Sequence, residues 1–226
     1  MCVPPNMRHV AIRSVAVFAC LAVLSVRGEG FGPSLTVILD FEDAPATQSL
    51  GEMRREVAAI MKRTGHSVEV RLRSETTTNE EFEDLVLVKL TGTCRMNGIP
   101  YSAFIDERGP SPLAWAHTVE GEILPFSTVA CDKIRRTVGS ALFGGQKAQG
   151  DQLLGRALGR VVAHELYHIV TKSGTHTKSG VFKESLSGAQ LIADRLEFRE
   201  QDTRRLLHHA SGASRPTFIR AAEAGQ

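Results

Sequence analysis

The chain has 226 residues, of which 42% are hydrophobic and 23% charged, with a formal net charge of +2. That is the composition of one globular domain with a real core. The small net charge gives no ground for a nucleic-acid partner, and no internal repeat or low-complexity block points to a solenoid or a disordered chain.

In chain order, Arg8, His9 and Arg13 precede an apolar run, "SVAVFACLAVLSV" (Ser14 to Val26), followed by "RGEGFG". A basic start, an apolar stretch of this length and small residues after it read as a secretory signal peptide over 1–28. The run is short for a membrane span. An uncleaved anchor is the alternative, because Arg27 sits near the expected cut. The expectation is a secreted or periplasmic protein with no stable membrane association after cleavage. Cleavage removes Cys2 and Cys20 and leaves Cys94 and Cys131, which suit either one disulfide or two buried thiols.

"SLTVILDF" (Ser34 to Phe41) is rich in β-formers and predicts a strand. Leu50, Met53, Val57 and Ile60 or Met61 recur at helical spacing, with Gly65 as a stop. "SVEVRLR" alternates as a strand with one wet face, and "LVLVKLTG" (Leu85 to Gly92) reads as a strand buried on at least one side. This order predicts an α/β sheet with a helix packed on it. The middle of the chain is irregular. It suggests short strands near Ala114 to Val119 and Ile123 to Val129, extended segments suited to a substrate-facing edge.

From Asp151, a suitable cap, the pattern turns helical through Leu154, Leu158, Val161, Leu166 and Ile169, and Gly174 suits its left-handed end. Gly155, Gly159 and Ala163 stack on one face of that helix. A glycine inside a helix costs about 1 kcal/mol against alanine, so close approach to the sheet is the expected return. A last helix is predicted from about Ala189 to His209, then a flexible tail over 211–226.

His164 and His168 stand four apart, so both imidazoles project from one helix face and reach one ion. Glu165 lies beside them as a base for a metal-activated water, and H-E-x-x-H on a helix is the pattern of that chemistry. The flanking residues are apolar, which argues against two merely solvated histidines. His176 follows the expected turn and completes a three-histidine set. Three protein ligands plus water is the catalytic zinc pattern, whereas structural zinc prefers four ligands with cysteine.

"HELYHIVTKSGTH" resembles the metzincin group of zinc metallopeptidases, whose pattern is H-E-x-x-H-x-x-G-x-x-H followed by a turn bearing methionine. Here Thr171 replaces the glycine, the third histidine comes two residues late, and Phe182 stands where the methionine would align. "HTKSGVF" is similar to the H-S-x-x-G-I-M of predicted bacterial metzincin-like proteins, with Gly180 retained. The match covers His164 to Lys183.

The resemblance implies a zincin-like α/β (α+β) catalytic domain over 31–210. It would have a mixed sheet on a long active-site helix and a C-terminal helix. His164, His168 and His176 would hold Zn2+, Glu165 would be the general base, and a large apolar Phe182 would support the histidines. The implied activity is peptide hydrolysis on a protein or peptide substrate, with the site between the sheet side and the C-terminal helix. Glu184, Glu197 and Asp194 are rival third ligands. A zinc-binding protein without turnover and a metal-dependent amidase on a non-peptide substrate stay open, as does the oligomeric state. Tyr167 suits a pocket wall, and Lys183 after the turn either faces the cleft or is simply solvated. His66, His117, His208 and His209 read as ordinary turn, edge or surface residues.

Overall fold

Alternation of side chains sets the two faces of the sheet. In β1 (Ser34–Phe41), Leu35, Val37 and Leu39 point into the main core, and Val86, Val88 and Leu90 of β4 (Asp84–Thr91) join them. Ile38 and Leu85 point the other way, onto a small cluster with Phe82 of β3 (Glu81–Phe82). The computed structural model describes residues 34–96, 112–212 and 219–220, and the predicted signal peptide lies outside them. Among the described residues no helix is long and apolar enough to cross a membrane.

The five-stranded sheet has the order β2-β1-β4-β6-β5. β1 pairs in parallel with β2 (Ser67–Leu72) and β4, and β4 with β6 (Glu122–Ala130). At the edge, β5 (Ala114–Val119) runs antiparallel to β6. The helix α1 (Thr47–Lys62) is the crossover between β1 and β2. Sheet and helices form an α/β architecture, as the order of elements in the sequence predicts. Within the expected tail, β7 (Ile219–Arg220) pairs with β3.

A short helix unassigned from the sequence, α2 (Cys131–Gly139), follows β6 directly, with Ile134 and Val138 one turn apart facing the core. Its first residue is bonded to Cys94, so one disulfide closes the alternative of two free thiols. The bond spans 37 residues, and closing a loop of that length removes about 4 kcal/mol of unfolded-chain entropy.

The long helix α3 (Gly150–Thr171) is buried along most of its length. Its paired glycines meet α1, not the sheet. A Cβ on Gly155 would collide with the Ser49 carbonyl oxygen, and one on Gly159 would lie 2.7 Å from the Glu56 Cβ. The nearest atoms to each missing side chain all belong to α1: Ser49 and Glu52 at Gly155, Glu56 and Met53 at Gly159. Asp151 does not cap its own helix either. It sits in the first turn and accepts the Met96 N–H at 2.6 Å, tying the chain beyond β4 to α3. Arg160, 1% exposed, donates to Glu56 of α1 at 2.7 Å and to the Gln190 carbonyl at 2.9 Å. Burial lowers its pKa, and the hydrogen bond to Glu56 opposes that shift.

The predicted last helix is two helices, α4 (Gly188–Ile192) and α5 (Glu200–Gly212). Ala193 turns extended. The intervening strap lets the Glu197 carbonyl accept the Val181 N–H at 3.0 Å and brings Phe198 against Tyr167. A continuous helix would have kept that carbonyl for itself.

Candidate metal centre

α3 delivers His164 and His168 one turn apart, and the chain beyond it returns His176 to them. The three Nε2 atoms form a nearly equilateral triangle, 3.1 Å from His168 to each of the others and 3.2 Å from His176 to His164. A tetrahedral zinc with bonds of about 2.0–2.1 Å holds its nitrogens about 3.3 Å apart. Among the described residues this is the group of ligand-type side chains that converges on one point.

The tautomers follow from the second nitrogen of each ring. His164 Nδ1 lies 2.9 Å from the Val181 carbonyl and His168 Nδ1 lies 2.6 Å from that of Ser173. A carbonyl oxygen only accepts, so both Nδ1 atoms carry the hydrogen and both Nε2 atoms present lone pairs. Two lone pairs at 3.1 Å repel each other unless a cation lies between them. Burial, with a smaller effect from the neighbouring imidazoles, pushes the His164 pKa down to about 4, against a weaker upward pull from the Val181 carbonyl. Burial also lowers that of His168. Neutral imidazoles are the metal-binding form, so the donor set fits zinc.

The end of α3 sets this geometry. Gly174 is not its left-handed residue. Lys172 is, with φ 49° and ψ 35°, and its Nζ donates to the Ile123 carbonyl at 2.6 Å. Turning there, two residues early, points the Ser173 carbonyl at His168. Lysine pays a steric penalty of about 1–2 kcal/mol in that conformation, offset by a bond that fastens the helix end to the β5–β6 hairpin.

Phe182 is fully buried, its ring centroid 5.1, 4.7 and 5.3 Å from those of His164, His168 and His176. It forms a floor beneath all three rings. Tyr167 stacks behind it at 3.7 Å, on the side of α3 away from the cleft, so it is not a pocket wall. Of the rival ligands, Glu197 pairs with Arg63 and Arg195, and Asp194 lies 3.4 Å from Arg156. Glu184 is exposed on the cleft wall. His117 bonds Thr128 at 2.9 Å within the sheet edge, and His66 is buried beside Thr64.

Glu165 is 4% exposed and borders the same cleft, of about 690 Å³. Burial raises its pKa to about 8, against a downward pull from a hydrogen bond with the Ala116 backbone. Its Oε2 has no hydrogen-bond partner. Ala116 lies where β5 shifts register against β6, an irregularity of the kind that re-aims an edge strand. Sequence reasoning missed this contact and Lys172, since neither left–handed lysine nor a strand irregularity has a residue signature here. The cleft is bounded by β5, α2, α3 and residues 183–186, not by the C-terminal helix as expected.

No family model matches the sequence, and no curated protein is similar to it. Among solved structures the chain is similar to archaemetzincin from Methanopyrus kandleri, with a TM-score of 0.46 and 11% identity. The alignment covers 83% of this chain and 99% of that one.

Proposed function

We propose that this protein is a secreted zinc-dependent peptidase in which His164, His168 and His176 hold the metal and Glu165 handles the proton. The observation that carries the reading is the Nε2 triangle, two of whose corners are forced to be lone pairs by backbone carbonyls. Zinc, when bound, supplies Lewis acidity, polarising a carbonyl and lowering the pKa of water from about 15.7 to roughly 7.

The chain's own residues do the rest. The carbonyls of Val181 and Ser173 fix two imidazole planes, and Phe182 keeps water from beneath them. Glu165, held against β5 and free at Oε2, takes a proton at that oxygen and returns it to the departing amine. Burial suits this carboxyl to returning the proton, and a cation held by the three histidines would favour the ionised form that first accepts it. Among the described residues β5 is an edge strand along the cleft, and an extended peptide pairs naturally with an unpaired strand edge.

The first test is zinc content of the purified protein beside His176→Ala and Glu165→Ala. About one zinc in the parent, retained by Glu165→Ala and mostly lost by His176→Ala, supports the centre. A peptide screen then decides turnover, and zinc without cleavage identifies a binding protein. A parent that takes up no zinc when supplied with it sinks the reading.

A further inference from the structure

The residue after the Phe182 floor is Lys183, which lines the cleft. Its Nζ donates to Gln190 Oε1 at 3.3 Å, a neutral acceptor. That oxygen is itself fixed: the Ser187 N–H donates to it at 3.0 Å and the Ser187 hydroxyl lies at 3.3 Å, while the Ser187 Oγ accepts the Gln190 N–H in return. Lys183 is half-buried, and it is anchored by main chain as well, its N–H bonded to the Gly180 carbonyl at 3.2 Å. The ammonium is thus held in place at the edge of the cleft, and no carboxylate among the described residues forms an ion pair with it.

A cation in this setting acts on what enters the cleft. The rest of the wall is largely apolar, with Leu113, Trp115, Ile123 and Leu186 around it, and a charge beside apolar walls is screened less than one in open solvent. Glu184 also borders the cleft, but it is exposed, so solvent screens it more. Glu165, the other carboxyl of the cleft, is buried and hydrogen-bonded to the Ala116 backbone of β5.

We infer that Lys183 is a specificity-determining residue that selects an acidic side chain near the bond to be cleaved, so that the substrates are acidic peptides. The inference rests on the peptidase reading above and names the substrate class for it. Lys183 pairs with a substrate carboxylate and gives up, or shares, its bond to Gln190. The lone pairs of the metal site and the carboxyl of Glu165 take no part in that contact.

The test uses the zinc-loaded full chain and short peptides carrying Glu or Gln, one position at a time, along an otherwise fixed neutral sequence. Cleavage is read by mass spectrometry, and binding of the same peptides by fluorescence polarisation at low and moderate salt. The parent is expected to favour Glu over Gln at one position by about fivefold, the size of a partly exposed ion pair. Added salt should reduce that preference. Lys183→Met should bring it to within twofold and Lys183→Glu should reverse it in favour of Gln, both with zinc content unchanged. Lys89→Met, the same charge loss on the outer face of the sheet, should leave it intact.

Cleavage without any Glu preference, or a preference that survives Lys183→Met, overturns the inference while the peptidase reading stands. Glu-selective binding that Lys183→Met abolishes, with no cleavage, sustains the inference while the peptidase reading falls. Neither binding selectivity nor cleavage overturns both.

Discussion

The two faces of α3 are built on opposite principles. Toward α1, Gly155 and Gly159 surrender their side chains, and Glu52 and Glu56 one turn apart on α1 receive Arg156 and Arg160 from α3. Every polar group named there has a partner. Toward the cleft the helix keeps bulky polar side chains and leaves them unmatched: Nε2 lone pairs face each other and Glu165 Oε2 bonds nothing. Contact stabilises the first face. The second is costly without a ligand, which is how a fold advertises a binding site.

Substitutions on each face should therefore fail differently. The largest effect is expected for His168→Ala. It removes the corner shared by both 3.1 Å contacts, so zinc affinity should fall by about a hundredfold or more, read by competition with a chromogenic chelator. Gly155→Val should instead cost about 4 kcal/mol of stability through overpacking against the Ser49 carbonyl. The surviving folded fraction should still bind zinc stoichiometrically. A Gly155 variant of unchanged stability that lost zinc would erase the distinction between the faces.

Next in size is the pH dependence of Glu165. Its folded pKa is raised from 4.5 to about 8, so the folded chain holds this proton where the unfolded chain has released it. That contribution is fully present below about pH 4.5 and is lost as pH rises through about 8. In chelator-stripped protein, Glu165→Gln should flatten the decline by on the order of 3 kcal/mol across that window, measured by urea unfolding at several pH values. Parallel curves for parent and variant would show that the carboxyl is not penalised by burial.

The smallest effect sharpens the comparison at the helix end. Lys172→Gly relieves a left-handed lysine but forfeits the bond to Ile123. The two terms are each about 1 kcal/mol, so stability should change little. Lys172→Ala keeps the strain and loses the bond, and should cost about 1 kcal/mol more than the glycine variant. Both should weaken zinc severalfold, because the Ser173 carbonyl is no longer held against His168. Unchanged zinc affinity in both would confine Lys172 to the helix end alone.

The histidine pattern was legible because its elements are local. His164 and His168 share a face by helical period, and β1, α1, β2 and β4 each follow a periodicity that survives folding unchanged. The reading failed where a residue answers to a distant partner. Asp151 abandons its own helix for Met96, the glycines answer to α1 and not to the sheet, and the segment after Ala193 leaves the helix to serve Val181.

What the sequence determined by itself is therefore the periodic framework and the identity of the donors, since both follow from spacing along the chain. Tertiary structure alone decided how the donors are aimed: which nitrogen of each imidazole is free, where the helix ends, that Cys94 meets Cys131, and that Glu165 is buried against Ala116. Those depend on carbonyls and strand edges contributed by segments far away in the chain. Backbone groups carry no residue identity, so nothing in the order of side chains announces where they will stand.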